Sequence, residues 1–190
     1  MQEFPFESGD AQMRKVQTAE KLDAHYVSPD PWGYYKSKHD AARKSILLDA
    51  IKSYTFSRTL DIGCGNGFIT ESFPAARVTG IDISGEAIAE ARSRSKSDRI
   101  TYIAGSLFQL PKLDLGTFDC VLITGVLYEQ YIGNSYPLIY KLVDSLLEQG
   151  GTLISVHIDN WYFARFPYSR VHRRSYPYRE YRHLLEIYRK

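Results

Sequence analysis

The chain has 190 residues, 44% of them hydrophobic and 24% charged, with a formal net charge of +2. That balance suits a domain with a buried core, and it excludes collagen-like and highly charged disordered chains. No apolar run approaches the ~20 residues of a membrane helix.

Met1 to Glu7 lacks the basic start and apolar core of a secretory leader. The two cysteines, Cys64 and Cys120, have no companions nearby, which predicts reduced thiols and a cytoplasmic setting. Periodicity predicts a helix around Met13 to Tyr26, a turn-rich break at Ser28-Pro-Asp-Pro-Trp-Gly33, and an amphipathic helix from His39 to Tyr54. Alternation follows. Strands are predicted at Thr59–Ile62, Val78–Ile81, Ile100–Ala104, Cys120–Thr124 and Thr152–His157. Helices are predicted between them at Gly67–Phe73, Gly85–Ser95 and Tyr136–Glu148, with Ser84 and Ser135 as N-caps and Gly150-Gly151 as a helix stop. Val171–Tyr178 and Arg182–Arg189 predict a terminal antiparallel hairpin. Short apolar strands alternating with helices imply an α/β, doubly wound, mostly parallel sheet covered on both faces.

The charge is uneven. From Trp161 to Lys190 eight basic residues face two acidic ones, and six of the 15 tyrosines lie there. Such a tail fits either an anionic partner, RNA included, or the solvated face of a hairpin.

Asp61-Ile-Gly-Cys-Gly-Asn-Gly67 ends the first predicted strand. In a sheet of this kind ligands bind beyond the carboxyl ends of the strands. A dinucleotide fingerprint requires G-x-G-x-x-G, and Phe68 stands where its third glycine belongs. The tighter glycine spacing, with Asp61 ahead of it and Asp82 one strand later, suits a cofactor with a cationic amino-acid end and a ribose. Leu60 to Gly67 resembles the signature of class I S-adenosylmethionine-dependent methyltransferases. Val78-Thr-Gly-Ile-Asp-Ile-Ser84, Ala104 to Pro111, Phe118 to Thr124 and Gln149 to Leu153 resemble that family's later motifs in order.

The resemblance implies a three-layer αβα Rossmann-like fold, with a seven-stranded sheet ending in an antiparallel hairpin. It implies one methyltransferase domain over 1–190: a lid segment 1–38, a cofactor-binding core 39–158, and a linker with hairpin 159–190. It assigns Asp61 to the amino-acid end of S-adenosyl-L-methionine, and Gly63, Cys64, Gly65, Asn66 and Gly67 to the turn that passes it. Asp82 is assigned to the ribose hydroxyls, Ile83 to adenine, and Ser106 and Leu107 to adenine recognition where relatives often carry an acid. Thr124 completes the set.

The stretch Ser28 to His39, with Val121 to Glu129, is similar to small bacterial nodulation-type N-methyltransferases of amino sugars. By that analogy Trp32, Tyr34 and Tyr35 form a lid, and the acceptor is a small molecule, an amino-sugar nitrogen before others. Catalytic candidates are Tyr128 and Glu129 after the fourth strand and His157 at the end of the fifth, each also readable as a structural residue. Oxygen methylation of a small metabolite, RNA methylation, and cofactor binding without turnover remain alternatives. No metal-ligand spacing such as His-x-x-x-His or Cys-x-x-Cys occurs.

Overall fold

The computed structural model describes residues 16–26, 28, 30–162 and 166–190. Two N-terminal helices, α1 (Ala19–His25) and α2 (Lys38–Ala50), precede an alternating stretch. That stretch runs β1 (Phe56–Ile62), β2 (Ala75–Asp82), α3 (Gly85–Arg94), β3 (Ile100–Ala104), β4 (Phe118–Thr124), α4 (Glu129–Ile132), α5 (Tyr136–Leu146) and β5 (Leu147–Ile158). The hairpin β6 (Ser169–Tyr178) and β7 (Tyr181–Arg189) closes the chain. The part of the predicted first helix at residues 13–15 lies outside the described residues.

The sheet has seven strands in the order β3-β2-β1-β4-β5-β7-β6. Strands β1 to β5 pair in parallel, and β7 runs antiparallel to both β5 and β6. β4 (FDCVLIT) is nearly continuous in apolar residues because it is covered on both faces. On one face α5 packs Ile139 and Val143 against Leu60, Val121 and Leu153. On the other α2 brings Leu47 onto Leu122, Ile154 and the hairpin residues Leu185 and Ile187. The chain leaves β1 for β2 on one side and returns to β4 on the other. The carboxyl ends of β1 and β4 therefore form the topological switch point where a crevice opens.

Four local expectations are corrected. Residues Gly67–Phe73 make no α-helix; a single 3₁₀ turn, Thr70–Ser72, stands there. Their carbonyls are taken from outside, Phe68 by Lys44 Nζ at 2.9 Å and Glu71 and Phe73 by Arg99 at 2.9 Å each. Pro74 then denies the next amide. Gly150 does not stop α5, which ends at Leu146. It lies inside β5 at φ +73°, where the β4–β5 register slips from Phe118↔Leu147 to Cys120↔Thr152. Ser84 caps α3 by accepting from the Ala87 amide at 3.1 Å, whereas Ser135 holds the N-cap position of α5 without a side-chain bond. The hairpin is longer than predicted, and a bulge between Arg170 and His172 leaves Val171 outside the pairing.

Candidate active site

The β1 carboxyl end delivers Asp61 to the floor of a cleft of about 300 Å³, within the size of small-molecule sites. Asp61 is 1% exposed. Its Oδ2 accepts from Thr70 Oγ1 at 2.7 Å, and Oδ1 has no hydrogen-bond partner among the described residues. Burial pushes its carboxyl up to about 7, Thr70 opposes that, Asp82 adds to it and Arg43 opposes it.

After Asp61 the chain turns sharply, with the Gly63 and Cys64 amides both on the Ile81 carbonyl at 2.8 and 3.1 Å. Gly63 and Gly67 have φ of +75° and +80°, left-handed values that glycine adopts without strain. A Cβ on Gly63 would overlap Val126 of the β4 loop, and one on Gly67 would overlap the Tyr102 hydroxyl. Their first constraint is protein packing rather than ligand approach. Gly65 differs: a Cβ there would meet only the Tyr26 hydroxyl, at 3.0 Å, from the N-terminal segment above.

Asp82, ending β2, accepts from the Gly65 amide at 2.8 Å and the Ser84 amide at 2.9 Å. An ionised carboxylate offers about four acceptor positions, so two remain for a ligand's hydroxyls. Burial raises its affinity for a proton, and the Ser84, Gly65 and Ile83 amides work against that. Ile83 and Leu107 present apolar surface to the cleft beside Asp82, and Cys64, Ser106 and Thr124 also line it. The Ser106 hydroxyl is engaged elsewhere, capping the 3₁₀ turn Leu107–Lys112 through the Phe108 amide, while Gln109 Oε1 accepts from the Ser106 amide.

The roof comes from the N-terminal segment. The Gln17 amide donates to the Gln130 carbonyl at 2.8 Å, and Asp23 accepts from Ser84 Oγ at 2.6 Å. These ties hold α1 across the cleft. Asp30 accepts the amides of Tyr34 and Tyr35 at 2.8 and 3.0 Å, fixing the turn that puts Trp32 and Tyr34 inside. Tyr26 and Tyr131 complete an aromatic wall. Burial raises the hydroxyl pKa of Tyr26, Tyr34 and Tyr131, so all three stay neutral.

Of the residues expected at the cofactor, ten line this cleft: Asp61, Gly63, Cys64, Gly65, Asp82, Ile83, Ser106, Leu107, Thr124 and Trp32. Asn66 and Gly67 do not line it. Tyr35 is 45% exposed on the outer surface, edge-on to Phe68, with Arg94 over its ring.

The three catalytic candidates lie outside the cleft lining. His157 is 1% exposed, its Nε2 accepts from the Leu127 amide at 3.1 Å, and its Nδ1 meets Ser155 Oγ at 2.9 Å. Its ring stacks on Tyr162 at 4.6 Å. The Tyr128 hydroxyl accepts from the Ile158 amide at 2.8 Å, a reciprocal brace between the β4 loop and the end of β5. Glu129 is exposed at the start of α4. The His157 Nε2 lone pair is taken by one buried amide and the Tyr128 hydroxyl accepts another, so both tie the β4 loop to β5, and neither lines the cleft.

Arg43 was missed. It lies on α2, 7% exposed, lines the cleft, and its Nε has no partner among the described residues. An arginine falling on the buried side of a helix was the available signal. Tyr131, three residues beyond Tyr128, was missed as well. The tail's charge is largely used internally: Arg170 binds the buried Glu186 at 2.8 Å, Arg179 binds Asp40, and Lys190 binds Asp144 at 3.0 Å. Among the described residues no group of three His, Cys, Asp or Glu is placed to hold a metal, and no helix is long and apolar enough to cross a membrane.

A methyltransferase domain model matches residues 56–178. The chain is 29% identical over 165 residues to the malonyl-[acyl-carrier protein] O-methyltransferase of Bacillus cytotoxicus, covering 85% of this chain and 54% of that protein. It is 29% identical over 136 residues to the ubiquinone biosynthesis O-methyltransferase of Glaesserella parasuis, covering 66% and 57%. The chain thus spans about half the length of the curated relatives it matches. Among solved structures, the N-methyltransferase NodS of Bradyrhizobium japonicum in complex with S-adenosyl-L-homocysteine superposes with a TM-score of 0.78. That match is at 22% identity and covers 90% of this chain and 97% of that one; it is a likeness of fold.

Proposed function

The chain belongs to the methyltransferase domain family, and from that premise we propose that it transfers a methyl group from S-adenosyl-L-methionine to the nitrogen of a small acceptor, an amino sugar or related carbohydrate. One observation carries the donor. Among the described residues Asp61 Oδ1 and Arg43 Nε are both buried without a partner; they line one cleft and are close enough for Arg43 to act electrostatically on Asp61. Buried polar groups rarely stay unpaired. A carboxylate and a guanidinium left open together match the ammonium and carboxylate of an amino acid. Asp82 has acceptor positions left for ribose hydroxyls, and Ile83 and Leu107 offer apolar faces to a base.

When bound, the cofactor supplies a sulfonium methyl open to in-line attack by a lone pair. The protein contributes alignment and exclusion of water, which account for much of such an acceleration. Tyr26, Trp32, Tyr34 and Tyr131 form a neutral aromatic wall, whose faces suit a sugar ring and a cationic centre. Among the described residues Asp61 and Asp82 are the only carboxylates in the lining, and no histidine is there. An alcohol oxygen needs a general base to lose its proton, whereas an amine needs only to be neutral, and desolvation favours that form. The aromatic, base-poor lining therefore supports nitrogen as acceptor.

Oxygen methylation is the second reading, favoured by the names of the curated relatives. A labelled-methyl screen over amino-sugar oligomers, simple sugars, small phenols and RNA separates them. Label on an amino sugar supports the proposal; label on a phenol alone replaces nitrogen by oxygen, and no transfer to any acceptor leaves a binding protein.

A further inference from the structure

Arg43 is held by residues far away in the chain. Its Nη2 lies 3.2 Å from Asp40 Oδ1, one helical turn earlier on α2. Asp40 is 0% exposed, yet it remains ionised. Burial acts to raise its pKa, and Arg43, Arg179, Tyr178 and Ser37 together outweigh that. The Tyr178 hydroxyl donates to Oδ1 at 2.8 Å and Arg179 Nη2 to Oδ2 at 2.9 Å. Tyr178 and Arg179 form the tip of the β6–β7 hairpin, 138 and 139 positions further along. Rings flank the guanidinium, with Tyr34 at 5.3 Å and Tyr178 at 5.6 Å from its carbon. Arg179 adopts φ +52°, a left-handed conformation unusual for a side-chain-bearing residue, and also donates to the Trp32 carbonyl at 3.0 Å.

The cluster of two arginines and one aspartate carries one surplus positive charge, and Arg43 is its member in the cleft. A buried charge demands a counter-charge. Without Arg179 and the Tyr178 hydroxyl, Asp40 would keep Arg43 as its main neutralising partner and draw the guanidinium toward itself. With them, Asp40 is satisfied from the hairpin side, and the Arg43 Nε–H stays available to a ligand.

We propose that Arg179 and Tyr178, at the tip of the C-terminal hairpin, are positioning residues for the carboxylate end of the cofactor, acting through Asp40 on Arg43. This rests on the cofactor reading above. It makes the hairpin a determinant of affinity for the amino-acid portion alone, leaving recognition of the adenosine portion to Asp82 and its neighbours.

Calorimetric titration with two ligands tests this: S-adenosyl-L-homocysteine, and 5′-methylthioadenosine, which lacks the amino-acid end. Arg179→Ala should weaken S-adenosyl-L-homocysteine about tenfold, the scale of one charged hydrogen bond, and leave 5′-methylthioadenosine within about twofold. Arg43→Ala should show the same selectivity with a larger loss. Tyr178→Phe keeps the ring and removes only the hydroxyl, and should give a selective loss of about threefold; it decides the matter if Arg179→Ala does not fold. Equal losses for both ligands, or undiminished S-adenosyl-L-homocysteine binding in Arg179→Ala and Tyr178→Phe, overturn the relay while the cofactor reading stands. If the unmodified protein binds neither ligand, the cofactor reading itself falls and takes the relay with it.

Discussion

Thr70 donates its hydroxyl proton to Asp61 Oδ2 at 2.7 Å, committing one carboxylate oxygen and leaving the other as the open acceptor on the cleft floor. The hydrogen bond helps Asp61 to be buried, and burial itself, which Thr70 only partly opposes, holds its proton up to about pH 7. Binding a ligand ammonium requires the ionised form. Affinity for S-adenosyl-L-homocysteine should therefore rise as pH increases through about 7 and level off above it. Asp61→Asn should remove that dependence and weaken binding; calorimetry at pH 6, 7 and 8 checks it.

The same group sets a stability trend of opposite sense. A carboxyl whose folded pKa is raised binds more protons in the folded state between its ordinary value of 3.8 and about 7. Stability of the free protein falls with rising pH across that window and stays low above it. Asp61→Asn, still able to accept from Thr70, should be more stable than the parent at pH 8, by on the order of 4 kcal/mol, and close to it near pH 4. Urea denaturation at both pH values measures this.

Gly63 is fixed by its neighbour as well as by its backbone. Gly63→Ala combines a left-handed φ with overlap on Val126, and should cost about 2–4 kcal/mol of stability. Val126→Ala in the same chain should recover only part, because the backbone strain remains. Thermal melts of the two variants separate the terms.

His157 carries a sharper expectation. If its ring braces the β4 loop, His157→Gln, which can still accept from the Leu127 amide, should keep methyl transfer within about threefold and leave the pH profile unchanged. His157→Ala strands a buried amide and should lower stability by about 1–3 kcal/mol. A fall of about 10² or more in the glutamine variant, with loss of one limb of the pH profile, would restore it as a general base.

The strand and glycine pattern from Thr59 to Asp82 was legible because its signals are local: a run of apolar residues, glycines at positive φ, and an acid at each strand end. The mostly parallel sheet covered on both faces followed from the alternation of strands and helices. What escaped depended on distant partners. α2 was read from Ala42, Ile46, Leu47 and Ala50, yet it buries Asp40 and Arg43 because the hairpin tip supplies Tyr178 and Arg179 to meet them. The helix predicted at Gly67–Phe73 failed for the same reason, its carbonyls being claimed by Lys44 and Arg99. A residue's place at a strand's end does not by itself set the direction of its side chain. His157 turns under the β4 loop, and the course of that loop carries Tyr131 rather than Tyr128 or Glu129 to the cleft.

Asp82 joins the glycine turn to α3, so its loss should be felt twice. Asp82→Ala frees the Gly65 and Ser84 amides and removes the ribose acceptor; S-adenosyl-L-homocysteine affinity should fall by about 10²-fold, and 5′-methylthioadenosine, which shares the ribose, should fall with it. A variant that kept both affinities would sever Asp82 from the ribose.

The most direct measurement is calorimetric titration of the unmodified protein with S-adenosyl-L-homocysteine and, separately, with a nicotinamide dinucleotide. Saturable binding of S-adenosyl-L-homocysteine at one site per chain, with the dinucleotide weaker or silent, is the predicted result. A dinucleotide that bound more tightly, or no heat with S-adenosyl-L-homocysteine, would contradict the assignment of this cleft to a sulfonium cofactor.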